Sequence, residues 1–200
     1  MKVVGLAGGS GSGKGAVCQI FASLGFLIVD TDALYHYMTE GKSKCLDELR
    51  LEFGDEILTA QGTLDRKKLA DIVFSDDNKQ RLARLNEISH FHILKQTREI
   101  IDKARLDEVV GVIIDAPLLF ESGFDRECDV TVSVLAPKAL RVERIMARDS
   151  ISRERAEKRI SAQLTDEQLK ALSDYVIVND ADIEILRERV FDVANEINKI

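Results

Sequence analysis

Residues 5–17, GLAGGSGSGKGAV, decide the fold of this chain. Gly8, Gly13 and Lys14 stand at the spacing G-x-x-x-x-G-K, which is typical of a loop that wraps around phosphate. An apolar run at Lys2–Ala7 precedes the loop, and apolar residues at helical spacing follow it. This context predicts a loop between a buried strand and a helix, whereas a flexible Gly/Ser-rich connector would not explain a lysine at that register.

The chemistry of this loop favours an anion. Glycines let the backbone approach closely, consecutive N–H groups point inward, and the helix amino terminus adds about half a positive charge. Lys14 adds a full charge that can follow a transferring phosphoryl group. The next residue is Gly15, where such loops carry a Ser or Thr whose hydroxyl ligates Mg²⁺. The loop therefore predicts phosphate binding and leaves open whether phosphate is also transferred.

Four further apolar runs predict the other strands of a sheet. They are residues 26–29, 109–114, 130–135 and 175–178. Helical spacing links Val17, Ile20, Phe21 and Leu24 before Gly25, and again Ile183, Leu186, Val190, Val193 and Ile197 near the end. Five strands with helical connections indicate an open parallel α/β sheet, with ligands at the carboxyl ends of the strands.

The middle of the chain, from residue 33 to about residue 108, has helical patterns and no convincing strand. Helical spacing is seen at Leu69-Ile72-Val73 and at Ile88-Phe91-Leu94, with a turn signal at Gln61-Gly62. Residues 75–78 have the composition of a helix break and restart. We expect an all-helical insertion between the second and third strands.

Length, charge and hydropathy exclude several classes of protein. The chain has 200 residues, a net charge of −7, 45% hydrophobic and 32% charged residues, which suits one globular domain. A general nucleic-acid surface is not expected at this charge. No apolar stretch approaches the roughly 18 residues of a membrane span. We therefore expect a cytoplasmic protein that does not bind a membrane.

The cysteines and histidines do not predict a metal centre. Cys18, Cys45 and Cys128 are widely spaced and form no C-x-x-C pair, so we expect reduced thiols. His90 and His92 would point to different faces of a helix.

Three aspartates follow strand ends, where chemistry is expected. Asp32 can accept a proton from an attacking hydroxyl or help to hold Mg²⁺. Asp30 is equally suited to chemistry and to capping the next helix. Asp115 ends an apolar run at the position where a Walker-B carboxylate reaches the metal, although such residues also start turns.

Arginines cluster late in the chain. Arg141, Arg144 and Arg148 share one helix face, which is either simply solvated or a lid that closes over phosphates and neutralises charge in the transition state. Arg141 lies at the edge of this face and is expected to matter less.

An ordered set of segments carries a resemblance over nearly the whole chain. In order they are GLAGGSGSGK, LGFLIVDTDAL, GTLDRKKLADIVF, LNEISHFHI, IIDAPLLFESGFDRECD, RVERIMARD, RISAQ and SDYVIVND. No single segment is decisive, since the glycine loop occurs in many nucleotide-binding families. The ordered set is highly specific, especially PLLFE and the R-x-x-x-R followed by Q. With these segments the chain resembles the dephospho-coenzyme A kinase family.

The resemblance implies an α/β P-loop kinase fold that transfers the ATP γ-phosphoryl to the ribose 3′-hydroxyl of dephospho-coenzyme A. It implies one domain over residues 1–200, with a nucleotide-binding core (about 1–32, 109–140 and 173–200), a helical acceptor-binding insertion (about 33–108) and an Arg-rich lid (about 141–172). The partners would be ATP with Mg²⁺ and dephospho-coenzyme A, in a monomer or small homo-oligomer.

The same resemblance implies roles for individual residues. Lys14, Asp32, Arg144 and Arg148 would be catalytic, and Asp32 and Asp115 would hold Mg²⁺. ATP would be bound by Gly9, Ser10, Gly11, Ser12, Gly13, Lys14, Gly15, Ala16, Arg144 and Asn179. The acceptor would be bound by Asp32, Arg66, His90, Pro117, Leu118, Leu119 and Glu121.

Two positions depart from the family pattern. Phe91 stands where a proline usually follows the histidine, which leaves a bend after His90 open. Gly15 removes the expected hydroxyl ligand to Mg²⁺. Two alternatives therefore remain beside the kinase: a nucleotide-binding protein with little or no catalysis, and a related kinase with a nucleotide acceptor.

Overall fold

The computed structural model describes residues 1–74, 79–107 and 109–199, and every element named below lies within them. The strands are β1 (Lys2–Ala7), β2 (Phe26–Asp30), β3 (Gly111–Asp115), β4 (Val130–Leu135) and β5 (Tyr175–Val178). The helices are α1 (Lys14–Ser23), α2 (Thr31–Thr39), α3 (Lys44–Phe53), α4 (Arg66–Phe74), α5 (Lys79–Leu106), α6 (Lys138–Asp149), α7 (Arg153–Ser161), α8 (Asp166–Leu172) and α9 (Ile183–Lys199). The chain divides into two compact units, Met1–Val29 with Ile101–Ile200, and Asp30–Ile100.

The first unit is built on a parallel sheet in the order β2-β3-β1-β4-β5, which confirms the five predicted strands. The first strand of the chain is thus the central one, and it pairs in parallel with β3 on one side and β4 on the other. Its residues after Lys2 are all buried, as a strand covered on both faces requires. β3 begins at Gly111, two residues later than the predicted start at Val109.

Apolar side chains from α1 and α9 pack with the sheet into the main core of this unit. The core includes Val4, Leu6, Val17, Phe21, Phe26, Ile113, Val132, Ile177, Leu186, Val190 and Ile197. Phe21 and Phe26 meet edge to face, with ring centroids 5.2 Å apart. Because α1 is fixed to the sheet by Val17 and Phe21, its amino terminus is held rigidly at the carboxyl end of β1.

The second unit consists of α2, α3, α4 and most of α5, which confirms the predicted helical character. Leu58 and Leu64 form an isolated antiparallel bridge, and the described part of this unit has no other strand pairing. The predicted helix break at residues 75–78 lies outside the described residues.

The buried face of α5 differs from the one that the apolar pattern predicts. Phe91 is 60% exposed, whereas Ile88, His92 and Ile93 are buried. The pattern is wrong here because a polar residue, His92, takes a core position, where its Nε2 lies 3.0 Å from a Glu48 oxygen. α5 also continues through Phe91 without interruption, so the chain makes no break after His90.

No helix in the described ranges has the length and apolar character needed to cross a membrane.

Candidate functional site

The glycine loop joins β1 to α1, as its sequence predicts. Gly11 and Gly13 adopt positive φ angles of 77° and 89°, a region that residues with a side chain rarely occupy. Gly13 caps α1 with no side-chain hydrogen bond, so the first N–H groups of the helix remain available to a ligand. A loop of this shape, at the amino terminus of a ten-residue helix, is suited to binding an anion.

Lys14 and Asp115 meet beside this loop. The Nζ of Lys14, in the first turn of α1, forms an ion pair with Oδ1 of Asp115, at the end of β3. The side chains are 15% and 17% exposed, so the pair lies where water screens charge only partly. Asp115 Oδ2 accepts a hydrogen bond from Cys18 Sγ at 3.3 Å. Lys14 and Asp115 are therefore placed together, as predicted separately from the glycine loop and the third strand.

Asn179 and Arg144 hold the loop from the side of β5 and α6. The buried Asn179 donates from Nδ2 to the Ser12 carbonyl at 2.8 Å. Arg144 Nη1 donates to the carbonyls of Gly11 and Ser12, at 3.2 and 3.3 Å. Both residues thus support the backbone of the loop through hydrogen bonds to its carbonyl groups.

A second set of contacts holds Ser10. Its carbonyl accepts from Arg141 Nε at 3.0 Å, and its N–H donates to Gln163 Oε1 at 2.8 Å. Arg141 is only 4% exposed and pairs with Asp166 at 3.2 Å, and its burial lowers the pKa of the guanidinium. Arg141 is therefore a buried support of the loop, not a peripheral member of an exposed face.

The glycines of the loop differ in what surrounds them. A Cβ at Gly9 would lie 2.2 Å from Arg141 Nη2, and one at Gly13 would lie 1.9 Å from Asn179 Nδ2. By contrast, a Cβ at Gly15 would meet nothing within 4 Å. The supporting side chains thus fill the space that glycine leaves inside the loop, while Gly15 and the half-buried Ala16 belong to α1.

Arg148 has different surroundings from Arg144, although both lie on α6. It is exposed and donates to both oxygens of Asp149, which also pairs with Arg159. The hydrogen bond from Arg148 is the main reason why the pKa of Asp149 falls to about 2. Arg148 is thus held at the exposed end of α6, where a ligand could still reach it.

The PLLFE segment follows β3 and joins a small cleft beside the loop. The cleft has a cavity volume of only about 10 Å³ and is lined by Gly9, Pro117, Phe120, Glu121, Gln163 and Leu169, among others. Pro117, Leu118 and Glu121 are exposed. Leu119 is fully buried and lies against Gly5, so its side chain belongs mainly to the core and not to an open binding surface.

Asp32, Arg66 and His90 belong to the second unit. Asp32 is exposed in the first turn of α2, while Asp30 caps that helix by accepting from the Ala33 N–H at 3.0 Å. Arg66 donates to Thr39 Oγ1 at 2.9 Å and lies 5.2 Å from the centroid of the Tyr35 ring. Burial lowers the pKa of the half-buried His90, which favours its neutral form.

A single carboxylate, Asp115, is enough to fit Mg²⁺ at this loop. Within the described ranges, no group of three or more His, Cys, Asp or Glu side chains could hold a metal ion. Mg²⁺ does not need one, because it takes one or two carboxylates and completes its shell with phosphate oxygens and water. A carboxylate beside a phosphate-binding loop meets that demand, even though Gly15 supplies no hydroxyl.

Sequence reasoning missed the contacts of three residues of this site. Gln163 and Asp166 act through Ser10 and Arg141, which lie far from them in the chain. Cys18 was expected to be a simple reduced thiol. The RISAQ segment did single out Gln163, but nothing in the sequence indicates that its partner is Ser10.

Comparison with known proteins agrees with this geometry. A family profile described as Dephospho-CoA kinase matches residues 2–185. The protein named Dephospho-CoA kinase from Thermobifida fusca is 39% identical over 199 residues, which cover 100% of this chain and 98% of the relative.

Two solved structures are also similar along the whole chain. TT1252 from Thermus thermophilus has a TM-score of 0.82 at 33% identity, and Dephospho-CoA kinase from Campylobacter jejuni has one of 0.71 at 27% identity. Each alignment covers 98% of this chain and 97% of the other. The P-loop fold, the phosphate site and these similarities together show that the chain belongs to the dephospho-CoA kinase family of phosphotransferases.

Proposed function

We propose that this protein transfers the γ-phosphoryl group of ATP to the 3′-hydroxyl of dephospho-coenzyme A, the last step of coenzyme A synthesis. The observation that carries the proposal is the phosphate loop with Lys14 paired to Asp115, in a chain that matches the kinase family over residues 2–185. A cation and a carboxylate next to helix N–H groups provide what phosphoryl transfer needs, which is positioning and charge stabilisation.

The loop and its supporting residues bind ATP in this proposal. The glycine loop and the amino terminus of α1, residues 9–16, surround the phosphates, while the Ser10 N–H stays with Gln163 and Lys14 moves its charge from Asp115 towards the phosphates. Arg144 already contacts the loop, so it can reach the phosphates with little movement. Arg148 neutralises the charge that develops during transfer, and Asn179 keeps the loop in its binding shape.

The acceptor is bound by the other predicted residues. Asp32 accepts the proton of the attacking 3′-hydroxyl, a role that suits an exposed carboxylate at the start of a helix. Arg66 supplies a positive charge to the acceptor, and neutral His90 can donate or accept one hydrogen bond. Pro117, Leu118 and Glu121 contribute the exposed part of PLLFE, with Leu119 anchoring that segment in the core.

Mg²⁺ is the proposed cofactor, and Asp115 with Asp32 would hold it. When bound, the ion neutralises charge on the ATP phosphates. Lys14 and Cys18 contact the two oxygens of Asp115 and orient its carboxylate.

A coupled assay of ADP release tests the function. With ATP and Mg²⁺, dephospho-coenzyme A should support turnover, whereas adenosine and AMP should not. Preference for AMP or adenosine would favour the related kinase with a nucleotide acceptor. If ATP binds in calorimetry but no acceptor is phosphorylated, Gly15 would instead mark a nucleotide-binding protein without catalysis.

A further inference from the structure

The helix that follows the phosphate loop carries two unusual neighbours on one face. Gly15 and Cys18 are three residues apart on α1, and residues at this spacing lie side by side on a helix surface. Gly15 offers no side chain where a hydroxyl is expected. Cys18 is 7% exposed and donates its thiol hydrogen to Asp115 Oδ2 at 3.3 Å.

The contact of Cys18 is more specific than core packing requires. A buried cysteine usually behaves as a small apolar side chain, and α1 already has Val17, Ile20 and Phe21 for that purpose. Asp115 is a largely buried carboxylate, and such a group needs hydrogen-bond donors or cations on its oxygens. Lys14 meets one oxygen and Cys18 meets the other, so the carboxylate is fixed at both ends.

We infer that Cys18 is a positioning residue that compensates for Gly15 by holding the Asp115 carboxylate in the orientation that binds Mg²⁺. The inference rests on the proposed role of Asp115. Without a hydroxyl after Lys14, the metal depends more strongly on this carboxylate. A thiol that donates to one oxygen keeps the carboxylate in place when Lys14 turns towards the phosphates.

The inference predicts that the donor matters more than the volume of the side chain. Cys18→Ser keeps a donor of similar size, whereas Cys18→Ala and the bulkier, apolar Cys18→Val remove it. Cys128→Ala is the matched control, because it removes a thiol from the same unit that donates to the Phe124 carbonyl and not to Asp115.

Calorimetry of ADP binding, with excess Mg²⁺ and again with a chelator, gives a readout that does not depend on turnover. In Cys18→Ala and Cys18→Val, the factor by which Mg²⁺ tightens ADP binding should fall roughly 3- to 10-fold, because one hydrogen bond from a weak thiol donor is lost. Binding without metal should stay within about twofold of the natural protein. Cys18→Ser and Cys128→Ala should retain the Mg²⁺ effect.

A second variant tests the link to Gly15. Gly15→Ser should lower the Mg²⁺ concentration needed for half-maximal rate, and it should restore most of the Mg²⁺ effect when added to Cys18→Ala. Thermal unfolding identifies any variant that fails to fold. If Cys18→Ala does not fold, the Mg²⁺ effect is compared between Cys18→Ser and Cys18→Val.

Unchanged Mg²⁺ dependence in both Cys18→Ala and Cys18→Val would overturn the inference, as would an equal loss in Cys18→Ser. If the natural protein binds ADP with Mg²⁺ but never phosphorylates dephospho-coenzyme A, the proposed function fails while this inference is still judged by the binding data.

Discussion

Single glycines in the phosphate loop are under very different constraints. Gly13 has a φ of 89° and its missing Cβ leaves room for the Asn179 amide, whereas Gly15 has open space around it. Conformation and space both require glycine at the first position, and neither does at the second.

Gly13→Ala should therefore lose most ATP binding and lower the melting temperature. A Cβ there must displace Asn179 Nδ2 and strain the backbone at the same time. Gly15→Ala is the control, and it should be neutral or raise the free energy of unfolding by up to about 0.5–1 kcal/mol, as expected for alanine within a helix. Calorimetry with ATP and thermal melts would measure both; equal tolerance at the two positions would contradict this account.

Asp32 and Asp30 are close in the chain but are expected to respond differently to amidation. Asp32→Asn removes the proposed base and should lower kcat roughly 10²- to 10⁴-fold with little change in ATP affinity. Asp30→Asn should remain near the natural rate, because asparagine caps helices about as well as aspartate. Steady-state kinetics of both variants decides the matter, and turnover within a few-fold of normal for Asp32→Asn would remove it from the base role.

At the scale of elements, the end of α7 is tied to the loop after β1. Gln163, two residues past α7, accepts the Ser10 N–H, and Arg141 on α6 holds the Ser10 carbonyl. α8 joins the same contact, because its first residue, Asp166, pairs with Arg141. The segment predicted as a lid therefore already contacts the loop through side chains.

Gln163→Leu should weaken ATP binding about tenfold, because the Ser10 N–H loses its acceptor. Gln168→Leu is the matched control on α8: it breaks the capping contact with Thr165 and leaves the loop untouched. Calorimetry would show the difference, and equal losses at both glutamines would mean that Gln163 acts only through stability.

Periodicity in the sequence predicts elements well and their orientation less well. The five strands and the helical insertion follow from apolar runs and spacing, which report local structure directly. The buried face of α5 does not follow from the spacing of apolar residues, because His92 occupies a core position and Phe91 is exposed. Arg141 was expected to matter less than Arg144 and Arg148, because charge alone cannot show that its side chain is buried against the Ser10 loop.

In the candidate site, too, local sequence signals predict some residues, while contacts between distant residues stay hidden. Lys14 and Asp115 were predictable, since the loop motif and the strand end each mark the same edge of a parallel sheet. Gln163 and Cys18 were not, because their roles arise from contacts with Ser10 and Asp115 that cross much of the chain. Such pairs become visible only when the strand order is known.

For the whole molecule, His90 makes folding stability depend on pH. Burial lowers the pKa of His90 below its ordinary value of 6.5, so the unfolded chain binds a proton more readily than the folded one. The contribution of His90 to stability is therefore fully present above about pH 6.5 and is lost as the pH falls through that value towards the folded pKa.

His90→Gln should flatten this part of the profile. Urea unfolding between about pH 7.5 and pH 5.5 would measure the change in the free energy of unfolding, and the natural protein should lose stability over that range. A slope that survives in His90→Gln would assign the pH dependence to other groups.

The central position of β1 has a consequence for how the protein is made. Ribosomes release the first strand and the phosphate loop early, but β1 pairs with β3 and β4, and Ser12 is held by Asn179, 167 residues later. A growing chain thus carries its glycine loop for most of translation without the partners that shape it. The contact that Asn179 makes with Ser12 can therefore form only after residue 179 has been added to the chain.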